Sequence, residues 1–451
     1  MMKKKIKTAV MSSHKDPLIV ALDIGSSKLR LIAGYVGEDR QIKIKGYAEL
    51  PSKGYQNGAI SDIDLLATQI AKLIMNFQTE FGITVSNLVT GVPGHAISAE
   101  NQSGTATVQT GEVTFRDRNT AIANAKAGIK SFNDTDHVII HANPQNYSIE
   151  SSELVTNPIG MYAKRLDVNV HFIGCKNMYK KNMDIAIKKT SSNIGSIRTI
   201  YSGNAASSAV LTDAERDNGV IHVDIGGGTV SVTVYESNRQ LLSFGVADGG
   251  DYITKEISRK FAIPKSESEN LKCNYGVASA MLLSEDQANE DLILSIDDPY
   301  PQEIRIKAGD LAAVINGSLN NMFLMLLDRI TMMGKANFKK LTIGSGMVLT
   351  GGTAKLAGID YVVSSIIREW SKNPANNFLE CNDKVRIGRP GGISLYEGAG
   401  DPVVLSDTDK SVAVGLLRAA RFEDPNQYKS GSVDHKVSIW EKFKTWIKQE
   451  M

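Results

Sequence analysis

The 451-residue chain is poor in several things, and each shortage removes a class of function. It has three cysteines, Cys175, Cys273 and Cys381, widely scattered. An odd number without framework spacing excludes a disulfide scaffold and fits packing residues in a reducing compartment. The formal net charge is only +2, too weak for the concentrated basic face that general nucleic-acid binding needs. No run of about 18 apolar residues occurs, so no membrane-spanning helix is expected. The longest apolar stretch, "NMFLMLLDRITMM", reads as a buried helix face. The opening "MMKKKIKTAVMSSHKD" is basic but lacks the apolar core of a signal peptide, and reads as a flexible arm. His137 and His141 in "HVIIH" would suit a metal on a helix. The "VII" between them reads as strand, where residues four apart lie about 13 Å apart, too far for one zinc.

Two nucleotide signatures are also missing: the G-x-x-x-x-G-K-[ST] loop and the G-x-G-x-x-G fingerprint. What stands in their place is an internal echo. "LIVALDIGSSKLRLIAGYV" and "GVIHVDIGGGTVSVTVYES" each run from an apolar strand through Asp-Ile-Gly and small or hydroxyl residues into a second β-rich run. The copies lie roughly 200 residues apart, which is the mark of a duplicated domain and not of a solenoid. Glycines admit a phosphate close to the backbone, and the N–H groups of a tight hairpin can converge on an anion. Ser26, Ser27 and Thr229 add hydroxyl donors, and Lys28 adds charge. Asp23 and Asp224, at strand ends, can hold the water shell of Mg²⁺. A single Asp-x-Gly is equally well a plain turn; two matching copies argue for a phosphate site. A third site, "GMVLTGGTAKLAGI", is an apolar strand, a Gly-Gly-Thr turn and a helix start, suited to close approach of a nucleoside or phosphate.

At these three motifs the sequence resembles the actin, Hsp70 and sugar-kinase superfamily, in which two phosphate hairpins of duplicated domains clamp ATP. "YSGNAASSAVL" and "SVAVGLLRAA" look like its two connecting helices. "VSNLVTGVPGHAISAENQSGTATV", "HVIIHANPQNYSIE", "VTNPIGMYAKRLDVNVHFIGC" and "RKFAIPKSESENLKCNYGVA" narrow the likeness to the FtsA family of cell-division proteins, over roughly residues 17–425 plus the tail. The resemblance implies an α/β, actin-like duplicated two-domain fold with an inserted α+β subdomain and a C-terminal amphipathic helix. The first domain would cover 17–85, continued at 176–214 and 403–425; the insert 86–175; the second domain core 215–250 and 341–402, with a helical outer subdomain at 251–340. A linker at 426–436 and a membrane-targeting helix at 437–451 would follow. Within the insert, "GTATVQTGEVTF" and "DVNVHFIG" alternate and read as strands.

Carried onto this chain, the resemblance implies that Asp23, Gly25, Ser26, Ser27 and Lys28 form the first phosphate loop. Asp224, Gly226, Gly227, Gly228 and Thr229 form the second, and Gly351, Gly352 and Thr353 the adenosine turn. Asp23 and Asp224 hold magnesium through water. Glu269 and Lys272, three apart on a helix, share a face and either contact the nucleoside or form a surface salt bridge. ATP and Mg²⁺ are the implied cofactors. The implied partners are the C-terminal peptide of the tubulin-like FtsZ, further copies of the chain in a filament, anionic membrane lipid and other division proteins, with no nucleic acid. The implied place is the cytoplasmic face of the cell membrane at the division site.

Two features depart from the superfamily pattern. "GVADGGDYITKEIS" sets Asp248 and Asp251 around Gly-Gly, as in the Hsp70 or kinase versions of this loop. The first connecting helix has no Gln to orient an attacking water; Asn204 is its only amide. Weak ATP hydrolysis at most is expected. A small-molecule kinase, with Asp248 or Asp251 as general base, is the alternative, and ADP release with a panel of sugars separates the two. An Hsp70-like chaperone needs a substrate domain after the ATPase, and little chain follows the second connecting helix.

The tail "KVSIWEKFKTWIKQEM" holds two of the three tryptophans. On a helical wheel Val437, Ile439, Trp440, Phe443, Trp446, Ile447 and Met451 fall on about one half. Glu441, Lys442, Thr445, Lys448 and Gln449 fall on the other, with Lys444 at the boundary, able to snorkel. Trp suits the headgroup boundary and lysines suit anionic lipid. The alternative is a helix docked on its own domain. The preceding "FEDPNQYKSGSVDHK" reads as a flexible linker.

Overall fold

The computed structural model describes residues 16–130, 136–150, 153–190, 194–296, 302–396, 398 and 401–422. The basic N-terminal arm, the linker and the amphipathic tail, with Trp440, Lys442, Phe443, Lys444, Trp446, Ile447 and Lys448, lie outside the described residues.

The internal echo of the sequence is an echo of topology. In the first sheet, strands Ile19–Ile24, Lys28–Val36 and Ile42–Pro51 form an antiparallel meander. Asn87–Val92 then adds parallel to the first of them, and Ser196–Tyr201 parallel to that. In the second sheet, Val220–Ile225, Val230–Glu236 and Arg239–Val246 form the same meander. Met347–Thr350 and Val385–Ile387 add in the same parallel sense. The strands are near-continuous apolar runs because both faces of each sheet are covered.

Between the sheets run helices Ser202–Val210 and Ser411–Phe422. Their Ala205, Ala209, Val414 and Leu417 join Ile32 and Ile44 of the first sheet and Val220 and Val348 of the second in one apolar seam. The outer face of the first sheet is covered by helix Ile63–Phe81. Asp62 caps its N-terminus, accepting from the N–H groups of Asp64 and Leu65, and Gly82 ends it in the left-handed region.

Strand Ile393–Leu395 pairs with Ile42–Ile44, completing a six-stranded first sheet. The chain therefore returns to the first domain before residue 403, the expected boundary. The short run "ISL" is too brief to announce which sheet it joins.

The insert is a four-stranded sheet, in the order Ile97–Thr107, Arg165–Lys176, His137–Ile149 and Glu153–Val155, covered by helix Phe115–Ala127. The run "GTATVQTGEVTF" is strand only as far as Thr107. Beyond it Gly111 takes a positive φ of 76°, and Thr114 with Asp117 forms a capping box that starts the helix. "HVIIH" is strand, and His141 lies buried with its Nε2 accepting from the Tyr201 N–H at 2.9 Å.

The 251–340 region is mostly helical but also holds a hairpin, Asp291–Ile296 with Gln302–Lys307. Its period-2 pattern buries Leu292, Leu294 and Ile306. Helix Ala308–Lys335 is, by length and composition alone, long and apolar enough to cross a bilayer, but half of its most apolar window is buried in the fold. Leu311, Ile315, Leu319, Phe323 and Ile330 face the second domain's core. Of the cysteines, Cys175 is buried; Cys273 is exposed, contrary to a packing role, and Cys381 is intermediate.

Candidate functional site

Both Asp-Ile-Gly motifs close their hairpins with the same hydrogen bond. The Gly25 N–H donates to the Lys28 carbonyl at 3.0 Å, and the Gly226 N–H to the Thr229 carbonyl at 2.9 Å. The two four-residue tips face each other at the mouth between the domains. A side-chain carbon on Gly228 would stand 2.6 Å from Ser26 Oγ and 2.6 Å from Asn57 Cα; one on Gly227 would stand 2.8 Å from Ser27 Oγ. Glycine is therefore required at Gly228, where the backbone of Asn57 approaches. Asn57 and Gly58, both at positive φ, make the tip of a small hairpin, and the Gly58 N–H donates to Ser26 Oγ at 3.3 Å.

Behind the tips is a cavity of about 190 Å³. It is lined by Asp23, Gly25, Ser26, Ser27 and Lys28 from the first hairpin, by Asp224 and Gly226–Thr229 from the second, and by Gly351 and Gly352. Ligand pockets for small molecules usually run from about 300 Å³; this one is smaller but not enclosed, opening toward the cleft.

The second tip is braced from below. The Gly250 and Asp251 N–H groups, opening helix Gly250–Phe261, donate to the Gly226 and Gly227 carbonyls at 2.9 and 2.7 Å. A side-chain carbon on Gly249 would meet the Gly226 carbonyl oxygen at 2.4 Å. The Gly-Gly of "GVADGGD" thus serves this contact. Asp248 is exposed, while Asp251 pairs through Oδ2 with Lys265 at 3.6 Å and has its Oδ1 near the Gly227 tip.

Three residues named with the site stand behind the cavity. Thr353 Oγ1 donates to the Gly226 carbonyl at 3.3 Å. Lys272 is buried; its Nζ donates to the Gly250 carbonyl at 3.0 Å, to Thr254 Oγ1 at 2.8 Å and to Glu269 at 2.6 Å. The Glu269–Lys272 pair ties the bracing helix to its neighbour.

The two acidic residues have different surroundings. Asp224 accepts from Thr350 Oγ1 at 3.1 Å and has no ion-pair partner among the described residues; burial pushes its carboxyl up to about 7. A buried carboxylate facing a cleft and lacking a cation fits a magnesium shell. Asp23 lies 3.2 Å from the guanidinium of Arg30, its cross-strand partner. Burial raises its pKa while Arg30 pulls the other way. Lys28 is bonded to Glu49, whose pKa is held down at about 2, against burial, by Lys28, Tyr47 and Lys410.

Sequence reasoning missed Arg30 and Asp409, which also line the cavity. The signal for Arg30 was present: a lone charge in the apolar run "LRLIAG", directly opposite Asp23 if the hairpin tip has four residues. Asn204 is buried, and its carbonyl accepts from Gln240 Nε2 at 2.6 Å, so it is not turned to the cleft.

Two sheets of one repeated topology, two helices crossing between them and paired glycine hairpins at the cleft define an actin-like protein. The same fold occurs in the solved PilM–PilN type IV pilus biogenesis complex, with a TM-score of 0.59 at 15% identity over 90% of this chain and 99% of that one. The family model for cell division protein FtsA matches residues 221–414, and that for the SHS2 domain inserted in FtsA matches 94–174. Cell division protein FtsA of Buchnera aphidicola subsp. Schizaphis graminum is 30% identical over 446 residues, covering 97% of this chain and 99% of its own. That of Neisseria meningitidis serogroup B is 30% identical, covering 95% and 97%. The chain belongs to the FtsA family of cell-division proteins.

Proposed function

We propose that the chain binds Mg-ATP between the two hairpins, assembles into filaments and tethers FtsZ to the cytoplasmic face of the membrane at the division site, helping recruit later division proteins. The observation that carries the nucleotide part is the pair of identically closed glycine hairpins meeting over two buried carboxylates. Backbone N–H groups of Gly25–Lys28 and Gly226–Thr229, with the Ser26, Ser27 and Thr229 hydroxyls, would bind the phosphates. Gly351 and Gly352 would take the nucleoside, with Thr353, Glu269 and Lys272 setting the position of that wall. Asp224, and less directly Asp23, would hold magnesium through water; the metal supplies charge neutralisation at the phosphates. Hydrolysis is slow in this reading, because Asn204 is committed to Gln240 and orients no water.

For the partner, a surface groove lies between helices Gly250–Phe261 and Ala308–Lys335, lined by Tyr252, Arg259, Lys260, Val314 and Asn321. It falls within 251–340, where the family resemblance puts the FtsZ C-terminal peptide, and we take it as the seat of that peptide. The amphipathic pattern of 437–451 supports attachment to anionic lipid through Trp440, Phe443, Trp446 and Ile447, with Lys442, Lys444 and Lys448 at the headgroups.

The test of the nucleotide site is a fluorescent-ATP titration with magnesium. Asp224→Ala is expected to weaken binding at least about tenfold, or roughly 1.4 kcal/mol. Equal affinities would move the site elsewhere.

A further inference from the structure

Arg30 is out of place in its strand. Its neighbours Leu29 and Leu31 are wholly buried, and its own side chain is only 10% exposed yet lines the phosphate cavity. Three carboxylates surround the guanidinium. Asp23 Oδ2 is 3.2 Å from Nη1, Asp409 Oδ2 is 2.8 Å from Nη2 and Glu49 Oε2 is 3.4 Å from Nε.

Two of these three have other cations. Glu49 is bonded to Lys28 and lies 3.4 Å from Lys410; Asp409 is 2.9 Å from Lys410 and 3.0 Å from Lys355. Among the described residues Asp23 has Arg30 as its one ion-pair partner, with Lys410 acting at longer range, and Asp224 across the cavity has no ion pair, Arg30 reaching it only at longer range. The two hairpins are thus equivalent in backbone and unequal in charge. One acidic residue has its counter-ion built into the fold; the other does not.

We propose that Arg30 is a fixed counter-ion of the phosphate cleft. It cancels Asp23 toward an incoming polyphosphate and leaves Asp224 as the one carboxylate that calls for a divalent metal. Nucleoside polyphosphate binding to this chain then depends on the metal only in part. Without any cation, two buried carboxylates would face the phosphates where Coulomb repulsion is weakly screened. A guanidinium in an ordinary protein site does not lose its proton and, unlike a metal, is not removed by a chelator. Asp409, at the start of the second connecting helix, and Glu49, on the next strand, act as positioning residues that hold Arg30 at the cavity wall.

The inference rests on the nucleotide reading above, and its test separates the two. Fluorescent ATP is titrated with excess Mg²⁺ and again with EDTA, on the intact wild-type chain and on Arg30→Met, Arg30→Lys and Asp23→Asn/Arg30→Met. The quantity read is the fold-loss of affinity on chelation. It is expected to be at least about tenfold larger in Arg30→Met than in wild type. It should return to near the wild-type value in Arg30→Lys, which restores the charge, and in the double variant, which removes both charges. A purely structural role for the side chain would leave all three variants alike, and that result overturns the proposal. So does an equal fold-loss in wild type and Arg30→Met, with the nucleotide site intact. Failure of the wild type itself to bind Mg-ATP overturns the nucleotide reading and this inference together.

Discussion

A side-chain carbon on Gly415 would stand 1.8 Å from the carbonyl oxygen of Ala205. The two helices that join the domains cross here with backbone against backbone, and Ser208 Oγ donates to the Gly415 carbonyl at 3.3 Å. Any larger residue must drive the two helices apart. Gly415→Leu is expected to destabilise the fold by about 1–3 kcal/mol through overpacking, read as a lower urea midpoint. Gly317, on an exposed helix face with open space around the position of a side-chain carbon, is the control: Gly317→Ala should leave the midpoint unchanged or raise it.

The insert is fastened to the second domain by buried polar contacts. His171 Nδ1 donates to Asn101 Oδ1 at 2.7 Å and its Nε2 accepts from Ser243 at 2.9 Å, while Asn101 Nδ2 donates to the Leu241 carbonyl at 3.0 Å. Burial holds the imidazole neutral and lowers its pKa from 6.5 to about 3; His222 behaves alike. The unfolded chain therefore binds these protons first. Their contribution to stability is complete above about pH 6.5 and is lost as pH falls toward 3. His171→Gln is expected to flatten the decline of the urea midpoint between pH 6.5 and 4.5. A slope equal to that of the wild type would mean that folding does not lower the pKa of His171.

The groove between the two outer helices of the second domain offers a direct test of the FtsZ contact. Val314→Asp puts a charge among the groove-lining residues and is expected to weaken binding of the FtsZ C-terminal peptide at least about tenfold. Asp117→Asn, on the insert, should not change it. Calorimetry with both variants decides, and an unchanged Val314→Asp affinity would take the peptide off this groove.

The tail is predicted to bind lipid one face at a time. Burying a large apolar side chain fully contributes roughly 1.5–3 kcal/mol, and an interfacial helix buries its face only in part, so one tail attaches reversibly. A filament presents many tails, each raising the effective concentration of the next. Trp440→Glu with Trp446→Glu should abolish sedimentation with anionic liposomes while leaving ATP binding intact. Undiminished sedimentation would favour a tail docked on its own domain.

Much of this architecture was legible in the sequence, for a physical reason. A phosphate hairpin needs an apolar strand, a turn of residues without side-chain bulk and a second strand, and that order is linear. The duplication then followed from finding it twice. Arg30 was legible only once the four-residue tip had fixed its register opposite Asp23. Other features were hidden because their cause is tertiary. The strand Ile393–Leu395 is three residues whose partner lies some 350 residues earlier in the chain. "QTGEVTF" alternates as a strand does, but its Thr114, with Asp117 just beyond it, satisfies a helix start. Asn204, the only amide of the first connecting helix, is bonded by Gln240 from the second sheet, a partner that no local pattern announces.

In the proposed tether, one chain would hold FtsZ at one end and the membrane at the other. The most direct measurement is carriage of a labelled FtsZ C-terminal peptide into a pellet of anionic liposomes with Mg-ATP present, using the intact chain and a chain cut after Asp424. The peptide is expected to sediment only with the intact chain, and the cut chain to bind it still but leave it in the supernatant. If the intact chain carries no peptide, or the cut chain carries as much, the tether does not exist as proposed.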